Sequence, residues 1–268
     1  MSLAANGPAW LFCPADRPER YGKAAAVADV VILDLEDGVA AADRPAARKA
    51  LRANPLDPEK TVVRINPGGT EDQARDLEAL SDTAYTTVML AKTESATQVD
   101  ALAPRSVVAL IETPRGALLC AEIAAARPCV AMMWGAEDLV AAMGGGASRR
   151  PDGRYRDVAR HVRSSVLLAA SSFGRSALDS VYLNLADLEG LRAEALDGAA
   201  VGFAATVCIH PSQVAVVRDA YRPAPERIDW ARRVLAAAQT QRGVFAFEGQ
   251  MVDSPVLRHA EAILRRAV

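Results

Sequence analysis

Short, mostly apolar runs alternate along this chain with longer amphipathic or alanine-rich segments. The apolar runs have the length of strands buried on both faces, and the segments between them carry helix start signals. The predicted strands are Trp10–Pro14, Val30–Leu35, Thr61–Asn66, Thr86–Lys92, Val107–Glu112, Val130–Asp138, Leu178–Leu183 and Ala205–His210. This alternation predicts a parallel sheet. Eight strand-then-helix units predict closure into a (β/α)8 TIM barrel rather than an open sheet.

The last part of the chain follows a different pattern. Ile228–Ala238 and Pro255–Ala267 have helical apolar spacing, and a short extended segment, 244–247, lies between them. Pro223-Ala-Pro225 is the nearest thing to a hinge. We therefore expect a barrel domain over residues 1–222 and a C-terminal helical extension over residues 223–268, which packs away from its own barrel, on a neighbouring subunit.

Composition narrows the classes of function. The chain has 268 residues, 51% of them hydrophobic, which is enough for a large core. Lys and Arg number 31 against 33 Asp and Glu, so no basic excess indicates a nucleic-acid partner. We see neither a signal-peptide pattern nor a run of about 18 apolar residues, and the 4 cysteines are widely spaced. These features predict a cytoplasmic protein with reduced cysteines and no membrane partner.

Two apolar segments in the middle of the chain each end in an acid, Glu112 and Asp138. A turn and an alanine-rich helical segment separate them, which is the size of one βαβ unit. Adjacent parallel strands lie about 4.8 Å apart, so we expect the two carboxylates to converge. They would repel each other without a cation, whereas Mg²⁺ binds through carboxylate oxygens. The alternative is that both acids cap helices.

Other charged residues follow strands on the same expected face. Arg64 can hold a carboxylate in bidentate geometry, so it is a candidate for binding the carboxylate of a 2-oxo or 2-hydroxy acid that chelates the metal. Such an arrangement suits aldol-type chemistry. The alternative for Arg64 is a structural ion pair. Glu36 and Asp37 either support the site or form salt bridges. For Lys92 we expect charge balance rather than a Schiff base. His210 stays open between a structural role and a site role.

Motifs at the predicted strand ends resemble those of the citrate lyase beta-subunit family, within the metal-dependent 2-oxo acid aldolases and citrate lyase-like proteins. In chain order they are Leu11-Phe-Cys-Pro, Asp34-Leu-Glu-Asp-Gly-Val, Arg64-Ile-Asn, Met89-Leu-Ala-Lys-Thr-Glu, Ile111-Glu-Thr-Pro-Arg-Gly, Gly135-Ala-Glu-Asp-Leu and Ile209-His-Pro-Ser-Gln. Together they cover nearly the whole chain. Cys13 stands where the family usually has Val, and Ala91 stands where it commonly has Pro, which alters a turn rather than a ligand.

The resemblance implies a set of site residues. Glu112 and Asp138 become the Mg²⁺ ligands, and Arg64 holds the substrate carboxylate. The positions placed around the substrate are Glu36, Asp37, Gly135 and Ala136. In this family an aspartate from the C-terminal segment of a neighbouring subunit acts as the acid/base, and Asp253 fits that place. The first strand-to-helix loop helps to bind the nucleotide, which makes Arg17 a candidate contact.

The resemblance also implies an activity. The chain is shorter than subunits of the citrate lyase complex, which favours stand-alone members that resemble malyl-CoA and citramalyl-CoA lyases. Such a Mg²⁺-dependent lyase cleaves a 3-hydroxyacyl-CoA into acetyl-CoA, or another acyl-CoA, and a 2-oxo acid, and it can run in reverse. The alternatives are an aldolase acting on free 2-oxo acid aldols without coenzyme A, and a non-catalytic subunit of a citrate lyase-like complex. Related proteins are often trimers or hexamers, so we expect a homo-oligomer.

Overall fold

Eight parallel strands form a closed barrel in the computed structural model, which describes residues 3–241 and 243–267. Each strand pairs with the next along the chain, and the eighth pairs with the first. The strands are β1 (Ala9–Pro14), β2 (Val30–Asp34), β3 (Thr61–Ile65), β4 (Thr87–Leu90), β5 (Ser106–Ile111), β6 (Cys129–Trp134), β7 (Ser176–Asp179) and β8 (Ala205–Cys208). The closed order confirms the predicted TIM barrel.

Helices connect the successive strands. They are α1 (Tyr21–Val27), α2 (Arg44–Ala53), α3 (Glu71–Ser81), α4 (Ala96–Asp100), α5 (Pro114–Leu118), α6 (Cys120–Ala125), α7 (Ala136–Ala142), α8 (Asp157–Ser172), α9 (Leu188–Val201) and α10 (Pro211–Tyr221). The alanine-rich segment predicted as one helix is divided at Leu119, whose dihedral angles (φ −106°, ψ 16°) leave the helical region. The apolar pattern gave no prediction of α7, which is short and begins directly after a glycine.

Buried apolar side chains from the strands form the core. All five residues of β2 are buried, and so are all four of β4. A parallel barrel covers its strands on both faces, which is why these runs are continuously apolar in the sequence. The core cluster is Trp10, Val30, Ile32, Val62, Met89, Val108, Leu110, Ala131, Met133, Leu178, Ala205 and Val207.

Seven of the eight predicted strands end one to four residues earlier in the structure, and only β1 ends where predicted, at Pro14. The sixth predicted strand ends at Trp134 rather than Asp138. β4 stops at Leu90 rather than Lys92, because Lys92 takes a left-handed backbone conformation (φ 50°) that no strand continues through. β7 spans Ser176–Asp179 rather than Leu178–Leu183. Asp179, the last residue of that strand, accepts a hydrogen bond from Trp134 Nε1 at 2.7 Å through its carboxylate.

The chain divides into two compact units, Met1–Arg218 and Asp219–Val268. The second contains α11 (Pro225–Ala238), a β9–β10 hairpin (Phe245–Phe247 and Gln250–Val252) and α12 (Ser254–Arg266). A small apolar core of its own, with Ala231, Val234, Val252 and Ala260 buried, holds these elements together. The prediction that the extension packs on a neighbouring subunit stays a prediction.

Cys13, Cys120, Cys129 and Cys208 are free and buried, a state that a reducing compartment maintains. The cytoplasmic location stays a prediction. In the described part of the chain, no helix has both the length and the apolar character needed to cross a membrane.

Candidate active site

The turn after β2 is built around Asp34. Its carboxylate accepts hydrogen bonds from the backbone N–H groups of Glu36 (2.9 Å) and Gly38 (2.8 Å). A Cβ at Gly38 would lie 2.2 Å from Asp34 Oδ2, so glycine is needed for this close approach. Asp34 therefore belongs to the hydrogen bonding of the strand and its turn, and it presents Glu36 and Asp37 to the carboxyl end of the barrel.

Arg64 on β3 lies beside this turn, with 11% of its side chain exposed. Asp34 accepts from its Nε at 2.7 Å and its Nη2 at 2.6 Å, while Nη1 lies 3.3 Å from Glu36 Oε2. The guanidinium carbon stacks 4.6 Å from the centroid of the Phe12 ring. Burial lowers the pKa of Arg64, but the charge and hydrogen bonds of Asp34, together with the charges of Glu36 and Glu112, outweigh burial, so the pKa is raised. The structural ion pair considered for Arg64 therefore forms, and a further carboxylate would approach the Nη1 edge.

Lys92 joins acids from three different turns. Its ammonium donates to Glu36 Oε1, lies 2.9 Å from Asp37 Oδ2 and lies 3.6 Å from Asp138 Oδ1. Burial lowers the pKa of Lys92, but its hydrogen bonds to Glu36 and Asp37 outweigh burial and raise it. The charge-balancing role predicted for Lys92 is confirmed, and Glu36 and Asp37 form the salt bridges that the sequence left open.

Glu112 follows β5 and is 3% exposed. Its Oε1 accepts a hydrogen bond from the backbone N–H of Lys92 at 2.9 Å. Burial, and then the charge of Asp138, raise the pKa of Glu112 from 4.5 to about 8. Ionising this carboxyl group in the metal-free site is therefore unfavourable.

Neither acid of the central pair caps a helix, so that alternative is wrong. Thr113 is the N-cap of α5 and accepts from Gly116 N–H, while Gly135 is the N-cap of α7. Asp138 lies in the first turn of α7, with 40% of its side chain exposed. The sequence had placed it at the end of a strand, because α7 was not predicted.

Gly135 and Ala136 form the turn that brings Asp138 toward Glu112. The N–H of Gly135 donates to Ile111 O at 2.9 Å, which ties this turn to the end of β5. A Cβ at Gly135 would lie 2.8 Å from Glu112 Oε2. Glycine thus leaves room for the Glu112 carboxylate, and Ala136 is buried behind it (3% exposed).

Acidic groups exceed basic groups at this face of the barrel. The acids are Asp34, Glu36, Asp37, Glu112 and Asp138, and the cations are Arg64 and Lys92. Among residues 3–241 and 243–267, no group of three or more His, Cys, Asp or Glu side chains is arranged to hold a metal ion. Glu112 and Asp138 would supply two oxygen ligands, which leaves about four octahedral positions for water and substrate. The repulsion between these two carboxylates and their oxygen chemistry fit Mg²⁺.

Three other predicted residues make local contacts. Arg17, in the loop after β1, has 56% of its side chain exposed and lies 3.5 Å from Asp16 Oδ2. His210 follows β8, and its Nδ1 accepts a hydrogen bond from Ser212 N–H at 3.2 Å, which is a contact within its own turn. Asp253 belongs to the second unit, where it is the N-cap of α12.

A buried network around Asp179 was missed in the sequence. Arg163 donates to both Asp179 oxygens, at distances of 2.6 to 3.1 Å, and Trp134 Nε1 donates to Oδ1. Trp134 directly precedes Gly135, so this network fixes the start of the turn that carries Asp138. The signal for Asp179 in the sequence is weak, since only Ala177 and Leu178 form the apolar run before it.

Two protein-family models match this chain. Residues 155–268 match a family model described as a C–C bond lyase of the TIM-barrel fold, and together with the closed barrel this match indicates the class of TIM-barrel carbon–carbon lyases. Residues 9–211 match the model of the HpcH/HpaI aldolase/citrate lyase family. The chain belongs to this family, which confirms the resemblance seen in its motifs.

Two similar proteins have solved structures in complex with magnesium and small organic ligands. The protein CitE of Mycobacterium tuberculosis, in complex with magnesium, acetoacetate and coenzyme A, is 73% identical with a TM-score of 0.95, over 98% of this chain and 99% of that chain. The citrate lyase beta subunit of M. tuberculosis, complexed with oxaloacetate and magnesium, is 74% identical with a TM-score of 0.83, over 83% of this chain and 100% of that chain.

A more distant relative carries an enzyme name. The mitochondrial citramalyl-CoA lyase of Homo sapiens is 33% identical, over 87% of this chain and 77% of the relative.

Proposed function

We propose that this protein is a Mg²⁺-dependent lyase that reversibly cleaves a 3-hydroxyacyl-CoA of the malyl-CoA or citramalyl-CoA type. The products are acetyl-CoA, or another acyl-CoA, and a 2-oxo acid. The observation that carries the proposal is the Glu112–Asp138 pair, whose repulsion helps to raise the pKa of Glu112 to about 8 and which a divalent cation would relieve. The ligands of the two M. tuberculosis structures and the citramalyl-CoA lyase support the cofactor and substrate class.

The residues at this end of the barrel have separate binding roles. Magnesium held by Glu112 and Asp138 supplies Lewis-acid polarisation of the oxo group. Arg64 orients the substrate carboxylate through the Nη1 edge of its guanidinium, since Asp34 already occupies the other edge. Gly135 lines the substrate in the turn between the two metal ligands.

Supporting groups surround that centre. Ala136 lines the substrate beside Gly135. Glu36 and Asp37 hold Lys92 and keep the face ordered around the substrate. Arg17 is exposed in the first strand-to-helix loop and contacts the nucleotide part of coenzyme A.

Cleavage requires two proton movements. The hydroxyl group loses its proton as the carbon–carbon bond breaks and the 2-oxo acid forms, and the carbon next to the thioester gains a proton to become the methyl group of acetyl-CoA. We assign the second proton to Asp253 of a neighbouring subunit in a homo-oligomer, a trimer or a hexamer. The Asp253 backbone position at the start of α12 is set by its own N-cap hydrogen bond to Val256 N–H (3.3 Å).

The test uses the purified chain with Mg²⁺ and three substrates: malyl-CoA, citramalyl-CoA and a free 4-hydroxy-2-oxo acid. We expect acetyl-CoA and a 2-oxo acid from at least one thioester, and no cleavage of the free acid. Cleavage of the free acid alone would favour an aldolase. Turnover only after a partner subunit is added would favour a non-catalytic subunit, and either result would overturn the proposal. Glu112→Gln should abolish cleavage of the thioester. Glu78→Gln, which alters an exposed acid on α3, is its matched control and should keep the wild-type activity.

A further inference from the structure

The backbone of Lys92 is held in an uncommon conformation. Its φ of 50° lies in the left-handed region, and among the described non-glycine residues only Glu248 shares a positive φ. The conformation turns the Lys92 N–H toward Glu112 Oε1, at 2.9 Å, while the side chain reaches the acids of other turns. One residue thereby contacts both carboxylates of the proposed magnesium site, the first through its amide and the second through its ammonium.

The ammonium has two kinds of contact. It is hydrogen-bonded to Glu36, which is 2% exposed, and to Asp37, so these two acids hold its position. Its distance of 3.6 Å from Asp138 Oδ1 is an ion-pair distance, longer than a good hydrogen bond. The contact with Asp138 is therefore not needed to hold Lys92 in place.

We propose that Lys92 is a positioning residue whose ammonium acts as a built-in cation, neutralising Asp138 in the metal-free site and opposing the entry of the divalent cation there. The inference rests on the proposed function, because it needs Asp138 as a metal ligand. A single charge held within 4 Å of a ligand oxygen repels an arriving divalent ion and shields the carboxylate that attracts it. Lys92 thus lowers the affinity of the site for magnesium and keeps the acid cluster together before magnesium binds.

This role predicts an unusual direction of change. Loss of a residue that only supports the fold weakens metal binding, whereas loss of a competing cation strengthens it. Removing the ammonium also leaves the main-chain hydrogen bond to Glu112 in place, because Lys92 makes that bond through its amide. We therefore expect Lys92→Gln to bind Mg²⁺ about tenfold more tightly than the wild type.

Titration calorimetry with Mg²⁺ alone tests the inference without any turnover. Lys92→Arg keeps the charge and is expected to bind within about threefold of the wild type. Lys60→Gln removes an exposed lysine just before β3 and is the matched control for net charge, with unchanged affinity. Lys92→Asn repeats the test with a side chain that tolerates the left-handed backbone, in case the glutamine variant does not fold.

The outcomes separate this inference from the proposed function. If Lys92→Gln or Lys92→Asn binds Mg²⁺ with wild-type or weaker affinity, while Asp138→Asn abolishes binding, the magnesium site stands and the role of Lys92 is overturned. If neither the wild type nor the Lys92 variants bind Mg²⁺, both fail. Tighter binding by the neutral variants, with Lys92→Arg resembling the wild type, supports the inference.

Discussion

Replacing Glu112 by glutamine should stabilise the metal-free protein at pH 8 while abolishing its Mg²⁺ binding. Glutamine keeps a carbonyl oxygen to accept the hydrogen bond from Lys92 N–H. It removes the buried negative charge that Asp138 repels. A residue placed for function rather than for stability shows this trade-off.

The size and sign of the effect follow from the pKa of Glu112, which is about 8 in the folded protein against an ordinary value of 4.5. Between these two pH values the unfolded chain has lost a proton that the folded chain keeps. Metal-free wild type therefore loses stability as the pH rises through this window, and the effect is absent below it. At about 1.4 kcal/mol for each pH unit, the loss reaches roughly 4 kcal/mol at pH 8.

Urea unfolding in EDTA at pH 4.5 and pH 8 measures this difference. The free energy of unfolding of the wild type should fall between the two pH values by several kcal/mol more than that of Glu112→Gln. Glu78→Gln, an exposed control on α3, should behave as the wild type does. Identical pH dependence in the wild type and Glu112→Gln would refute the raised pKa of Glu112, and with it the effects of burial and of the charge of Asp138.

Three further substitutions test other parts of the site. Gly135→Ala should weaken Mg²⁺ binding at least about tenfold in calorimetry, because the added Cβ would lie 2.8 Å from Glu112 Oε2. Gly146→Ala is the control, since its added Cβ meets nothing within 4 Å, and it should bind Mg²⁺ with wild-type affinity. Equal Mg²⁺ affinities of the two variants would contradict the prediction. Arg64→Lys should raise KM for the 2-oxo acid in the condensation direction at least about tenfold, since lysine cannot pair with Asp34 and a substrate together; an unchanged KM would remove Arg64 from the substrate site. Asp253→Asn should lose deuterium exchange at the acetyl-CoA methyl group, because asparagine cannot move the proton. Its melting temperature should stay within about 2 °C of the wild type, because asparagine caps a helix equally well. Retained exchange would exclude the acid/base role of Asp253.

The sequence pattern was sufficient for the barrel because buried parallel strands are continuously apolar. Val30–Asp34 is such a run, and its burial on both faces is what the pattern records. Glu112 could also be placed at the end of its strand, since it follows one of these runs, whereas Asp138 lies in the first turn of α7, which the pattern did not predict. Local composition therefore carries both the order of the strands and the end of the barrel where the charges collect.

Contacts between distant residues were beyond this kind of prediction. The bidentate pair between Arg64 and Asp34 depends on the register of β2 and β3, which aligns these two residues side by side. The left-handed backbone of Lys92 also has no signal in its residue type, since lysine rarely adopts it. Only the closed barrel brings the Lys92 ammonium to acids that follow β2 and β6.

The most direct test of the proposed lyase is to measure how carbon–carbon cleavage depends on Mg²⁺ and on Asp138. Acetyl-CoA release from malyl-CoA or citramalyl-CoA should require Mg²⁺ in the wild type, stop in EDTA and return when Mg²⁺ is restored. Asp138→Asn should stay inactive at every Mg²⁺ concentration. Wild-type turnover that persists in EDTA, or cleavage by Asp138→Asn at the wild-type rate, would contradict a metal-dependent lyase built on Glu112 and Asp138.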